Sequence, residues 1–209
     1  MGKINPTEYN SMLTQVLQKN YTELFADFRK SSLKKARFQE TTNYGSEVFH
    51  SKQAMEYYIV ENELELVDGK GFMPEDLFLI NSVFDEKSQY EKTDMKVFNM
   101  LTRLESYTPT TCSPIYTLNS NKIKAYPAKD KIDITYFRRL KLPKWTFTIV
   151  GSEELFNPDA PDFQDIDAHE MMIGKIFADI LFMCGVNLQM QEVQQYAMQM
   201  KQEEMVNQQ

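Results

Sequence analysis

The sequence predicts an α+β fold, mainly a helical bundle with a small antiparallel β-sheet inserted at about residues 114–150 and a C-terminal helix. Two observations carry this prediction. Apolar residues recur at helical spacing before and after that stretch, whereas inside it they alternate with polar residues, as in a half-buried strand. The 209 residues suit one domain, and a hydrophobic content of 42% is enough for a core. We expect a core domain over residues 1–187 and a Met/Gln-rich helix and tail over residues 188–209.

The first helix is expected to begin near Thr7, because the preceding Pro6 favours the first turn of a helix. Seven apolar residues then fall close to one face at helical spacing, and we expect that face to be buried. They are Tyr9, Leu13, Val16, Leu17, Leu24, Phe25 and Phe28.

The end of this helix is strongly basic, with five cations among the nine residues of Arg29–Arg37. One interpretation is a solvated helix C-terminus, where cations meet the negative end of the helix dipole. The other is contact with phosphate groups. Both stay open, and the second gives the candidate DNA-proximal residues Lys30, Lys34, Lys35 and Arg37.

A second helix is expected from Ser46 to about Val67, with Asp68–Gly71 as its stop signal. Its last part, Leu64–Val67, is also compatible with a short strand. After it, Leu77–Phe84 forms a further short segment, and residues 95–104 are compatible with either a strand or a helical turn.

From Pro114 the sequence takes the period of a β-sheet. The alternating segments Ile115–Leu118 and Lys122–Tyr126 flank a turn at Asn119–Asn121, which predicts a hairpin. Two more alternating segments, Ile132–Tyr136 and Trp145–Ile149, extend the predicted sheet.

An acidic loop, Asn157–Asp165, precedes the next predicted helix. Asp167 and Glu170 have the spacing of a capping box, so we expect the helix to begin beside them. Its buried stripe is expected to be Met172, Ile173, Ile176, Phe177, Ile180 and Leu181. Gly185 ends it, and a last helix runs from Leu188 to about Val206.

The composition limits the function. The net charge is −7, whereas a protein that grips nucleic acid over a broad face is usually basic. The two cysteines, Cys112 and Cys184, lie far apart in unrelated contexts, which indicates a reducing compartment rather than a disulfide framework. We recognise no signal peptide and no apolar run long enough to cross a bilayer, so we expect a cytoplasmic product.

We expect no enzyme, cofactor or metal. His50 and His169 fall in different elements, and the sequence has neither a phosphate-binding loop nor a nucleophile elbow. A cluster of four carboxylates lacks the spacing of a calcium loop, so a solvated loop with one capping carboxylate is the favoured interpretation. Its members are Asp159, Asp162, Asp165 and Asp167.

Several segments follow one another in a distinctive order. Met73–Leu77 comes first, then Asn121–Pro127, a strand that ends in Tyr-Pro. Ile132–Arg139 ends in two arginines and is followed by the step Pro143–Trp145, the acidic loop and the helix opening Asp167–Glu170. This order resembles the neck proteins of tailed bacteriophages, above all the ring or connector proteins of crAss-like phages.

The resemblance covers roughly Phe72–Gly185. It implies a structural virion protein, assembled in the host cytoplasm, that forms a ring in the phage neck. Such a head-to-tail adaptor, twelve-fold in the family, binds the portal protein, extends the DNA channel and offers a platform to the next neck or tail ring. DNA passes through it without sequence-specific binding, and no membrane is involved.

The resemblance also implies where contacts lie. The basic strand end would lie beside the ring interface or the channel, and the acidic loop would complement it on the next subunit. The candidate subunit-interface residues are Arg138, Arg139, Lys144, Asp159, Asp162 and Asp165. A self-contained surface with both charges interspersed is the alternative, and it stays open.

The C-terminal segment is the candidate portal-docking element, because seven of the thirteen methionines lie between Met171 and Met205 and thioether side chains adapt to irregular surfaces. Its candidate residues are Leu188, Val193, Tyr196 and Met200. Packing on its own domain is the alternative. Two rival functions also stay open: a nucleic-acid-binding module that uses Arg29–Arg37, and a regulatory or scaffolding protein whose tail binds one partner.

Overall fold

The computed structural model describes residues 4–36, 52–104, 108–151, 153–187 and 191–207, which contain five helices and nine strands. The helices are α1 (Pro6–Ala36), α2 (described over 52–56), α3 (Met95–Leu101), α4 (Glu170–Asn187) and α5 (Gln191–Asn207). The strands are β1 (Ile59–Glu65), β2 (Lys70–Phe72), β3 (Leu77–Phe84), β4 (Glu91–Lys92), β5 (Ile115–Asn119), β6 (Lys122–Tyr126), β7 (Lys131–Arg138), β8 (Phe147–Val150) and β9 (Glu153–Phe156).

The chain divides into two compact units. Unit 1 consists of Met1–Tyr57 and Leu140–Gln209, and it holds α1, α2, α4, α5 and the β8–β9 hairpin. Unit 2 is the continuous segment Tyr58–Arg139, and it holds β1 to β7 with α3. Unit 2 is therefore an insertion in the sequence of unit 1. The division into residues 1–187 and 188–209 stays a prediction.

Helix α1 supplies one side of the unit 1 core. It begins at Pro6, one residue before the expected Thr7, and the Asn5 side chain accepts a hydrogen bond from the Thr7 N–H at 3.0 Å. The apolar stripe of α1 packs against α4, and both contribute to one cluster. Its buried members are Leu13, Val16, Leu17, Ile176 and Ile180.

Helix α5 lies against α4, and Gly185 of α4 is in close contact with Gln194 of α5. A Cβ atom at this position would lie 2.9 Å from Cγ of Gln194 and 3.0 Å from its backbone N. The Gln194 amide donates to the Gly185 carbonyl at 3.1 Å, and Ala197 is fully buried. A small residue is therefore required at this contact.

Unit 2 is built from two sheets. The first has the order β1-β7-β3, with β7 antiparallel to both neighbours. The second has the order β2-β6-β5-β4, antiparallel except for the short β4–β5 pair. The first and last strands of the unit, β1 and β7, pair along their lengths from Ile59 opposite Phe137 to Glu65 opposite Lys131.

Alternate residues of these strands form the unit 2 core. The fully buried residues Val83, Ile123 and Ile134 lie on three different strands of the two sheets. The rest of the cluster is Leu64, Leu66, Met73, Tyr90, Tyr116, Ala125, Ile132 and Tyr136.

The predicted architecture is wrong in its proportions. The fold is α+β, but strands extend from residue 59 to residue 156 and form three sheets, which is far more than a small sheet inserted in a helical bundle. The physical reason is that β1, β2 and β3 find their partners in β6 and β7, about 50 to 80 residues away, so their strand character depends on pairings that local periodicity does not reveal.

The predicted helix to Val67 is also wrong over its second half, and its expected start at Ser46 lies outside the described residues. The helical segment ends at residue 56 and β1 follows. The expected helix stop is a hairpin turn: Asp68 and Gly69 have φ angles of 52° and 70°, and Val67 and Lys70 exchange backbone hydrogen bonds. An Asp-Gly pair at positive φ is typical of a two-residue hairpin.

The other strand predictions agree better with the structure. The hairpin of β5 and β6 and strand β7 are confirmed, and β8 begins two residues later than expected.

Within the described residues, none of the helices is both long and apolar enough to cross a membrane.

Candidate assembly surface

The β8–β9 hairpin is fixed to α1 through Trp145. The Asn10 side chain donates to the Trp145 carbonyl at 2.9 Å and accepts from its N–H at 2.8 Å, so one amide satisfies both backbone groups. The Trp145 ring also packs edge-on against Tyr9, with centroids 5.8 Å apart. The base of the hairpin is therefore held at a defined position against α1.

Aromatic rings stiffen the base of the hairpin. Phe147 and Phe156 are directly opposite each other, and both stack on Trp145, with centroid distances of 6.3 and 5.5 Å. Phe163 from the acidic loop packs edge-on against Phe156 at 5.6 Å. Offset and edge-on ring pairs of this kind are worth about 0.5–1.5 kcal/mol beyond their burial.

Beyond this base the hairpin is exposed on both faces. Ile149 is 68% exposed on the face that carries the aromatic pair, while Val150 and Leu155 are 60% and 52% exposed on the opposite face. A two-stranded sheet is at best marginally stable alone in water. Large exposed aliphatic side chains on such a sheet are typical of a surface that another molecule covers. We call Ile149, Val150 and Leu155 the hairpin patch.

A second apolar surface of unit 1 lies on α4. Ile173 and Phe177, one helical turn apart, are each about half exposed, at 50% and 51%. The prediction that both are buried is wrong, because the α1 contact uses the neighbouring positions Ile176 and Ile180 instead. We call Ile173 and Phe177 the helix patch.

The start of α4 also differs from the prediction. The helix begins at Glu170, and the His169 ring nitrogen Nδ1 accepts from the Met171 N–H at 3.3 Å. Asp167 is buried three residues earlier, where it accepts from the Tyr57 hydroxyl at 3.2 Å and the Lys141 N–H at 2.9 Å. The predicted capping role of Asp167 is therefore wrong: its carboxylate holds the chain at Lys141.

Among the candidate interface residues, Lys144 and Asp162 form an ion pair with each other within the chain. The hydrogen bond from Lys144 lowers the pKa of the Asp162 carboxyl. Asp159 donates its N–H to the Asn157 side chain at 3.2 Å, and Asp165 accepts from the Ile166 N–H at 2.7 Å. The acidic loop is thus ordered partly by its own contacts.

The two candidate arginines belong to unit 2. The Arg138 guanidinium lies 5.3 Å from the centre of the Tyr58 ring, and Nε of Arg139 donates to the Leu77 carbonyl at 3.0 Å. These contacts hold the end of β7 against neighbouring parts of the same unit. Their predicted role between subunits stays a prediction.

The candidate portal-docking residues are unevenly placed. Tyr196 is 57% exposed on α5, Val193 and Met200 are partly buried, and Leu188 lies outside the described residues. Helix α5 thus packs on its own unit and still presents an aromatic ring to solvent.

The candidate DNA-proximal residues are only partly described. Lys30 is exposed on α1 and pairs with Asp27 at 3.1 Å. Lys34 and Lys35 continue the same helix, and Arg37 lies outside the described residues.

Sequence reasoning missed strand β9, and with it Leu155 of the hairpin patch. A signal was present, because the dipeptide Gly151-Ser152, which follows an alternating segment, is typical of a two-residue hairpin turn. In the part of the chain that the structure describes, no three His, Cys, Asp or Glu side chains are grouped as a metal site would require.

No protein-family model matches the chain, and a comparison with curated proteins finds no match. The interpretation of function therefore depends on the sequence resemblance and on the surfaces described above.

Proposed function

We propose that the protein is a structural subunit of a phage neck, where its copies form a ring that joins the portal to the tail and extends the DNA channel. The resemblance over Phe72–Gly185 supports this proposal. The observation that carries it is the exposed hairpin patch, because a two-stranded sheet with aliphatic side chains on both faces gains stability when a neighbour covers it.

A closed ring needs two different surfaces on every subunit, since each copy contacts its neighbours head to tail. Unit 1 offers two apolar surfaces of this kind, the hairpin patch on β8–β9 and the helix patch on α4. In the proposed ring the hairpin of one copy covers an apolar surface of the next. The acidic loop gives this contact a polar rim, α5 faces the portal, and the basic strand end of unit 2 contributes a separate polar contact to the neighbouring copy.

The mechanism is mechanical rather than catalytic. The ring takes its symmetry from the portal, lines the passage for DNA and presents a surface to the next neck component. A chain with a net charge of −7 has an overall repulsion from DNA, which favours sliding over retention.

The first test is the copy number of this chain in purified virions, measured by quantitative mass spectrometry against the portal protein. A ratio near one to one supports a neck ring, and absence from virions overturns the proposal.

Assembly itself is tested with Ile149→Asp and Leu155→Asp. Each variant places a charge in the hairpin patch, so we expect it to lose ring formation. Native mass spectrometry with and without the portal protein detects the rings. The circular dichroism spectrum should stay unchanged. The matched control is Val67→Asp, which changes an aliphatic side chain that is 77% exposed in unit 2. Rings of normal size from both hairpin variants would contradict the proposed contact.

A further inference from the structure

The solvent face of β2 and β6 concentrates positive charge. Lys70 is opposite Lys124, and Phe72 is opposite Lys122. The alternate residues Gly71, Ile123 and Ala125 are buried on the other side of the two strands. The lysines and Phe72 therefore share one outward face. We call Lys70, Phe72, Lys122 and Lys124 the basic face.

The three lysines of this face have no carboxylate to neutralise them within the described residues, whereas Lys129, Lys131, Lys144, Lys175 and Lys201 each form an ion pair. Lys70 and Lys124 are directly opposite across the strands, an arrangement in which like charges repel. The repulsion remains in the free protein, so an anionic partner would relieve it.

An exposed aromatic ring lies among these cations. Phe72 is 69% exposed, and the Lys122 ammonium lies 4.8 Å from the centre of its ring. The ring holds one lysine at the surface through a cation–π contact and adds an apolar component to the face.

The spacing of the cations suits a phosphate backbone. Lysine ammonium groups are compact point charges that bind phosphates without the bidentate geometry that arginine uses for carboxylates and phosphates alike. Alternate residues of a strand are about 7 Å apart, so Lys122 and Lys124 are positioned to contact different phosphates of one DNA strand, which carries a charge every ~3.4 Å of rise.

We infer that the basic face contacts the phosphate backbone of double-stranded DNA. The inference rests on the proposed function and deepens it, because it names the surface on which the passing DNA is guided. Three phosphate contacts on a subunit of net charge −7 give weak binding that is easily broken by salt, as guidance without retention requires.

The experiment measures binding of the full chain to a mixed-sequence DNA duplex by fluorescence anisotropy over a series of salt concentrations. With three phosphate contacts we expect the logarithm of the association constant to fall with the logarithm of salt with a slope of about −2.7. In the triple variant Lys70→Gln, Lys122→Gln, Lys124→Gln we expect binding at low salt to weaken by about tenfold or more and the slope to approach zero.

The matched control is the triple variant Lys87→Gln, Lys92→Gln, Lys96→Gln, which removes the same charge from exposed lysines elsewhere in unit 2. DNA affinity retained in the control and lost in the first variant supports the inference. Equal losses in both variants would show a dependence on total charge and overturn it. Circular dichroism of all three proteins checks that each is folded.

An acidic protein partner is the competing outcome. The wild-type chain would then fail to bind DNA at low salt but would bind polyglutamate, and the first variant would lose that binding. This result would overturn the inference in favour of an acidic partner. Ring formation by the same proteins is followed separately by native mass spectrometry. Rings without DNA binding contradict this inference, whereas DNA binding without rings contradicts the proposed function.

Discussion

The ammonium group of Lys201 on α5 forms an ion pair with the buried carboxylate of Asp179 on α4. The same carboxylate accepts a hydrogen bond at 3.0 Å from the amide of Asn20 on α1, so three helices of unit 1 meet at one charge. The Lys201 ammonium also lies 4.7 Å from the centre of the Phe182 ring. This cluster holds α5 in place with polar contacts, where Ala197 supplies little apolar area.

Removing the cation tests how strongly it holds α5. In Lys201→Met, the buried carboxylate of Asp179 keeps its hydrogen bond from Asn20 but loses its ion pair. We expect the free energy of unfolding, measured by urea denaturation, to fall by about 1–3 kcal/mol. The control is Lys30→Met, whose partner Asp27 is 57% exposed, with an expected loss within about 0.5 kcal/mol. Equal losses in the two variants would show that burial of the pair is unimportant.

The Asp179 carboxylate is also expected to make the stability of the fold sensitive to acid. Burial opposes the charge of Asp179, but the Lys201 ammonium and the Asn20 amide outweigh it and hold the pKa of this carboxyl below its usual value. A lowered folded pKa gives stability that is complete above the unfolded value of about 3.9 and is lost as pH falls through the folded value.

We therefore expect wild type to lose stability below about pH 4 more steeply than Asp179→Asn, which has no proton to gain. Thermal unfolding of both proteins across this range measures the difference. Parallel curves would mean that Asp179 contributes nothing to the acid response. The pKa of Asp85 is lowered too, against the effect of its burial, by the N–H groups of Lys87 and Ser88, so both proteins retain some dependence.

The Tyr136 hydroxyl is expected to limit stability at alkaline pH. Burial, followed by its 2.9 Å hydrogen bond to Asp76, raises the pKa of the Tyr136 hydroxyl to about 12. The unfolded phenol loses its proton near about pH 10, so stability falls as pH rises from that value towards 12. Tyr136→Phe should cost about 1 kcal/mol at neutral pH and should flatten the alkaline loss.

Urea denaturation at neutral and alkaline pH measures both effects, with Tyr196→Phe on exposed α5 as the control that should change neither. Some alkaline loss will remain, because burial and then Asp85 raise the pKa of Tyr90 to about 12 as well. An unchanged alkaline slope in Tyr136→Phe would contradict the assignment.

Replacing two glycines by alanine distinguishes the cost of backbone strain from the cost of steric crowding. Gly69 and Gly151 have almost the same φ, 70° and 69°, but a Cβ at Gly69 would lie 2.6 Å from the Ala125 carbonyl oxygen, whereas nothing lies within 4 Å at Gly151. We expect Gly151→Ala to cost about 1–2 kcal/mol and Gly69→Ala about 1–3 kcal/mol more. Thermal or urea unfolding of both variants checks this, and similar losses would show that the backbone at Gly69 moves aside freely.

The sequence predicted those elements that carry a clear local pattern of their own. The hairpin of β5 and β6 needs a turn and two alternating segments, and all three lie within residues 115–126. The apolar stripe of α1 was equally recognisable in the sequence, because the residues on the buried face of a helix recur every three to four positions. Such local signals need no knowledge of the rest of the fold.

Strand β1 shows why the remainder was missed. Glu61, Glu63 and Glu65 alternate with Val60 and Leu64, but glutamate and leucine favour helices, and the pairing with β7 that makes the segment a strand lies about 70 residues away. The exposed state of Ile173 and Phe177 on α4 was missed for a similar reason. A helix with apolar residues on several sides does not reveal which of them its neighbour will cover.

The pairing of β1 with β7 has a practical consequence. The Arg138 N–H donates to the Tyr58 carbonyl at 2.9 Å, so the chain enters and leaves unit 2 through adjacent backbone positions, whose Cα atoms are about 5 Å apart. A bridge of two or three small residues can span that gap. The 82-residue segment Tyr58–Arg139 can thus be excised, exchanged for another module or circularly permuted, with its severed ends already side by side.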